Sequence, residues 1–69
     1  MTFNLNGQEY IELNKLLKLT GVVESGGFAN MVITGEDVLV NGVTETRKRK
    51  KLREGDVIEF NGERIDIIA

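Results

Sequence analysis

The sequence has no cysteine and no histidine, only four aromatic residues, and no apolar run of eighteen. Without Cys there can be no disulfide framework, and without Cys or His the usual structural zinc sites have no ligands. Small domains often rely on one or the other, because a chain of this size buries only ~60% of the surface it exposes when unfolded. No stretch is long and apolar enough for a membrane-spanning helix. Met1-Thr2-Phe3-Asn4-Leu5-Asn6-Gly7 lacks the basic start and apolar stretch of a secretory signal. The expectation is one soluble cytoplasmic domain over residues 1–69, monomeric, with no membrane association. Catalysis also lacks its parts. No Ser has an obvious base, and Glu36-Asp37 and Glu54-Gly55-Asp56 read as turn formers, not as a general acid/base pair. Gly26-Gly27 lacks the spacing of a phosphate loop. The sequence reads as a non-enzyme, with no cofactor and no metal.

What is present is a concentrated positive charge. Six of the nine basic residues fall within Arg47-Lys48-Arg49-Lys50-Lys51-Leu52-Arg53, uninterrupted by any acid. The remainder carries three basic against eleven acidic residues, a net charge of about −8, although the whole chain is at −2. A ligand meets the local potential and not the average, so a pI near 5.0 does not exclude a polyanion. Crowding cations costs stability, and the reading that repays the cost is a grip on phosphates. Arg47, Arg49 and Arg53 can fork onto phosphate oxygens, while Lys48, Lys50 and Lys51 act as mobile point charges. Two other readings stand beside it: a solvated edge that discourages strand-to-strand aggregation, and a basic address segment. Charges occupy odd and even positions alike, so neither face of the run is expected to be buried.

The surrounding pattern is α+β. Phe3 and Leu5 alternate with polar residues as in a short strand, and Asn6-Gly7 offers a turn. Gln8 to Ile11 either pairs back or leads into a helix. Leu13, Leu16, Leu17 and Thr20 form one face of a helix from Glu12 to Thr20, ended by Gly21. Ser25 is placed to cap a second helix, in which Phe28/Val32 and Ala29/Ile33 are i, i+4 pairs, Met31 widens the apolar side and Gly35 is the stop. Gly26 and Gly27 in its first turn are either weak helix formers or room for a close approach. Val38-Leu39-Val40 leads into Asn41-Gly42, a strong hairpin signal, with Val43 to Thr46 returning. Val57 to Phe60 and Glu63 to Ile68 form a further hairpin across Asn61-Gly62. These elements predict two short helices packed on a small, mainly antiparallel sheet. Phe28 and Phe60 are expected in the core. No aromatic interleaves with the basic run, which favours a nucleic acid's backbone shape over stacked single-stranded bases, and the residues alone do not separate RNA from DNA.

The ordered signals Leu13-Asn14-Lys15-Leu16-Leu17-Lys18, Ser25 with Ala29, Val38-Leu39-Val40-Asn41-Gly42 and Gly55-Asp56-Val57-Ile58 resemble the S4 RNA-binding domain. The resemblance runs from Glu12 to Phe60 and is strongest to small stand-alone bacterial S4-like proteins, the YbcJ/YaaA type. It implies the S4-like (αL) fold and binding of structured RNA, such as rRNA or tRNA, through cationic side chains. By position, Lys15 and Lys18 match basic sites of the family's first helix, and Arg47, Lys51 and Arg53 match those before the Gly-Asp turn. Three positions depart from it: Glu12, Gly26 and Asn30 stand where larger S4 families often carry Arg. That shifts the expected phosphate contacts onto residues 47–53. The competing reading is a protein-interaction adaptor whose basic pole docks an acidic partner, possibly on a ribonucleoprotein particle.

Overall fold

A computed structural model describes residues 1–69. Its elements in chain order are β1 (Thr2–Asn4), β2 (Ile11–Glu12), α1 (Leu13–Leu19), α2 (Gly26–Thr34), β3 (Val38–Val40), β4 (Val43–Thr44), β5 (Lys51–Leu52), β6 (Val57–Phe60) and β7 (Glu63–Ile68). Five strands form one sheet in the order β1-β7-β6-β3-β4, and β2 pairs with β5 in a separate two-stranded ladder. Every pairing is antiparallel except β1 with β7. The α+β, S4-like arrangement expected from the sequence is therefore present.

The core follows from the two side-chain periods. Leu13, Leu16 and Leu17 of α1 and Ala29, Val32 and Ile33 of α2 turn inward at i, i+3 and i+4 spacing. Val38 and Val40 of β3, Ile58 of β6, and Ile65 and Ile67 of β7 meet them from the sheet. Along β7 the outward positions Arg64 and Asp66 pair with each other at 3.0 Å. All fifteen buried residues are hydrophobic, and no polar or charged residue is buried. Ser25 caps α2 as expected, its Oγ accepting from the Phe28 amide at 3.1 Å. Asn41-Gly42 and Asn61-Gly62 both take positive φ at each residue, the geometry of tight hairpin turns.

The Asn-Gly and Gly-Asp signals, thirteen to fifteen residues apart, meet in space. Asp56 accepts from the Arg53 amide at 2.7 Å and from the Asn41 side chain at 3.0 Å. Asn41 in turn accepts from the Val57 amide at 2.8 Å. Asp56 is thus a turn former, and it fixes where the basic segment ends relative to the β3–β4 hairpin.

Two details depart from the sequence expectation, and two others refine it. Of the two courses open to the segment after Asn6-Gly7, it leads into α1, and on the way Ile11 and Glu12 pair with Leu52 and Lys51. The basic run is not free of burial, because Leu52 is fully buried as the inward residue of that ladder. Phe28 is 44% exposed, since the inward arc of α2 is filled by Ala29, Val32 and Ile33 and leaves Phe28 and Met31 at its edge; Phe60 does pack against the core. Gly35 ends α2 as expected, with φ −77, and the left-handed conformation falls on the next residue, Glu36. A Cβ on Gly35 would lie 3.0 Å from the Met31 carbonyl oxygen, so a larger residue there would push the last turn by a few tenths of an ångström.

Candidate nucleic-acid interface

The basic segment is held down by its backbone and one side chain. After β4 the chain turns at Lys48-Arg49, where the Lys50 amide donates to the Arg47 carbonyl at 3.2 Å. The carbonyls of Lys50 and Lys48 then accept from the Leu13 and Asn14 amides at 2.9 and 3.0 Å. Amides of the first turn of a helix have no partner within the helix, and here the basic loop supplies two. Glu12, the N-cap residue, makes no side-chain cap bond, and its carboxylate turns to Arg49 instead. Buried Leu52 anchors the far end. The loop is thereby fixed across the start of α1.

That anchoring brings four cations together. Arg47, Arg49, Lys50 and Lys51 line one shallow hollow of about 420 Å³ with no hydrophobic residue in its wall. Lys15 of α1 shares a second groove with Arg49, so Arg49 links the loop to the helix. Lys18 and Lys48 are exposed but line neither concavity. Arg53 lies towards Tyr10, with its guanidinium 5.6 Å from the ring centroid.

The positive charge is not unopposed. Arg47 donates through Nε and one terminal nitrogen to the Glu45 carboxylate at 2.9 and 3.1 Å. Arg49 donates through Nε to Glu12 at 3.0 Å, and Arg53 approaches Glu9 at 3.9 Å. The three arginines thus each have a carboxylate partner that the linear run conceals, while no ion pair forms at Lys48, Lys50 or Lys51. The pairs stay open to water on the arginine side: the Arg47 and Arg49 side chains are 70% and 78% exposed, over glutamates at 12% and 17%. The hydrogen bond from Arg47 holds the Glu45 carboxyl below the usual carboxylate range, with burial opposing it. Glu45 in turn raises the Arg47 guanidinium. Pairs with a solvated arginine are weak, so a denser anion can displace them.

Tyr10 is the residue that linear reading missed. The register that puts Ile11 opposite Leu52 brings Tyr10 beside Arg53. The Lys51 ammonium stands 4.9 Å from its ring centroid, within cation–π range. Thirty-seven or more residues separate Tyr10 from the basic run, and only the β2–β5 pairing joins them. The two-residue strand Ile11–Glu12 is too short to carry an alternation signal. On α2, Asn30 accepts from the Asn14 side chain at 3.2 Å, bridging the helices at a position that the resemblance gives to Arg. No group of three or more His, Cys, Asp or Glu side chains is arranged to hold a metal.

Two short helices on the sheet, with a cationic loop laid across the start of the first, define the class. The S4 domain model matches residues 3–68, and the chain belongs to that family. It is 41% identical over 68 residues to "Putative RNA-binding protein YbcJ" of Escherichia coli (strain K12), covering 99% of this chain and 97% of the relative. It is also 43% identical over 54 residues to "Probable ribosome maturation protein RlbA" of Bacillus subtilis (strain 168), covering 78% and 76%. The solution structure of the E. coli YbcJ protein, described as revealing an αL motif involved in RNA-binding, superposes with a TM-score of 0.76. That match covers 99% of this chain and 86% of the solved one at 41% identity.

Proposed function

We propose that this chain is an RNA-binding module that takes structured RNA, duplex or hairpin, mainly by its phosphates. The observation that carries the reading is the hollow lined only by Arg47, Arg49, Lys50 and Lys51, on a loop pinned by two backbone bonds to α1. Lys48 and Arg53 extend the cationic surface along the loop, and Lys15 and Lys18 extend it along the helix. Fixing the cations before binding removes part of the ordering cost that a free basic tail would meet on contact. The printed descriptions of the relatives, RNA binding for one and ribosome maturation for another, support RNA as the polyanion and rRNA or tRNA as its source. The module works as one domain over residues 1–69, as a monomer in the cytoplasm.

The test is binding to a hairpin RNA across a salt series. Engagement of about six phosphates gives a slope of log K against log salt of roughly −4 to −5. Salt-insensitive binding, or none at low salt, defeats the proposal. A second reading has its own observation: Glu45 and Glu12 already occupy two of the arginines, so this surface accepts carboxylates as well. An acidic protein partner would persist in a pull-down from nuclease-treated lysate, whereas RNA-mediated capture would not.

A further inference from the structure

Beside the all-cation hollow lies a groove of different chemistry. It has a volume of about 510 Å³, with the Tyr10 ring and Leu19 among its walls. Leu19, the last residue of α1, is 66% exposed, a large apolar side chain held in water while its neighbours Leu16 and Leu17 are fully buried. Lys15 and Arg49 line the same groove and bring positive charge to it. Gln8 and Glu12 complete the polar lining; the Gln8 amide can both donate and accept, and the Glu12 carboxylate can accept. Lys51 and Arg53 approach the Tyr10 ring but do not line the groove, to which Tyr10 itself contributes.

An aromatic and an aliphatic wall, a donor and acceptors between them, and cations alongside match one nucleobase with its flanking phosphates. A phosphate alone has no use for Tyr10 or Leu19, whereas a base attached to its phosphates uses the ring, the aliphatic wall, the Gln8 amide and the cations together. We infer that the groove between β2 and α1 seats a single unpaired base of the bound RNA, stacked on Tyr10, with Arg49 and Lys15 on the adjacent phosphates. This rests on the RNA-binding reading above and adds to it a preference for a bulged or flipped nucleotide. Stacking on an aromatic is tolerant of base identity, so the site selects an extrahelical base and not a sequence.

The experiment uses the full chain and two hairpins with identical stems, one carrying a single 2-aminopurine bulge. The bulged hairpin is expected to bind about tenfold tighter, with the 2-aminopurine fluorescence quenched on binding. Tyr10→Leu brings the bulged-to-unbulged affinity ratio close to one, while Tyr10→Phe keeps it. Leu19→Glu lowers the same ratio from the opposite wall, at an exposed position that folding does not depend on. Equal binding of the two hairpins by the unmodified protein overturns the inference and leaves phosphate binding standing, as does a ratio unchanged in both Tyr10→Leu and Leu19→Glu. Failure of both hairpins to bind at low salt removes the RNA-binding reading itself.

Discussion

The basic loop and the second helix both pack on α1, and they are built on opposite terms. The loop from Arg47 to Arg53 carries six cations and one buried side chain, Leu52, and is tied by backbone bonds to the first turn of the helix. Helix α2, Gly26 to Thr34, carries no charge at all and is fastened by Ala29, Val32 and Ile33. The positions that the resemblance gives to Arg hold small or neutral residues: Gly26 has open space around it, and Asn30 is spent on a hydrogen bond to Asn14. One element provides the field and the other the platform. The separation teaches that a small domain with a marginal core can still hold dense charge, provided the charge sits where water reaches it and the core does not.

The strongest way to break that division is to reverse the field. Arg47→Glu, Arg49→Glu and Lys51→Glu together should cut hairpin-RNA affinity by on the order of 100-fold or more, and flatten the salt slope by about 3. The fold should survive, because all three side chains are exposed. Retained affinity in the triple variant, checked against an unchanged circular dichroism spectrum, would mean that the polyanion sits elsewhere.

Next in size is the buried anchor. Leu52→Ala removes a fully buried side chain and should cost about 2–5 kcal/mol in urea denaturation, a large share of what a 69-residue domain has. Ile33→Val on α2 should cost only ~0.5–1.5 kcal/mol. The comparison sharpens when both are assayed for RNA while still folded. Leu52→Ala should weaken binding under conditions where Ile33→Val does not, since only the former loosens the loop. Equal binding losses at matched stability would show that Leu52 serves the core and not the interface.

How much of this was legible beforehand follows from the range of the interactions involved. The helices, the Ser25 cap and the three Asn-Gly turns are local devices, and the spacing of Leu13, Leu16 and Leu17 already states which face is buried. The cationic cluster was visible because it is contiguous. Its partners were not: Glu12 and Arg49 are thirty-seven residues apart, and their pairing depends on a two-residue ladder with no periodic signal. The same ladder carries Tyr10 to Lys51, so the aromatic contribution was also hidden. Phe28 misled because its i, i+4 relation to Val32 is real, yet the helix lies on the sheet along a narrower arc.

A smaller effect tests the empty platform. Gly26→Arg places a cation where the resemblance expects one, in a helical position with no atom within 4 Å of the new Cβ. It should strengthen RNA binding by about two- to fivefold at moderate salt and steepen the salt slope by somewhat under 1. Its effect on stability should be small, because the better helix propensity of Arg is offset by its charge at the positive end of α2. An unchanged affinity in the folded variant would place α2 outside the contact surface and leave the loop as the whole of it.

The smallest effect reads the internal carboxylates. Glu45→Gln keeps an oxygen that can accept from the Arg47 amide, but it releases the guanidinium from the opposite charge. RNA affinity should rise by about two- to fivefold, the general range for an exposed pair given up on binding. The pH dependence has a fixed sign. Arg47 depresses the Glu45 carboxyl in the folded state, so the stabilisation is complete above the unfolded value of about 4.3 and is lost as pH falls through the lower folded value. Between pH 8 and pH 6 Glu45 is charged whether the chain is folded or not, and it adds no slope to stability. The unmodified chain should therefore lose the benefit of this pair only in acid, and Glu45→Gln should abolish that part of the acid limb while neutral stability changes little. An affinity that falls in Glu45→Gln would reverse the relation assumed here: Glu45 would be holding Arg47 in its binding pose and not competing for it.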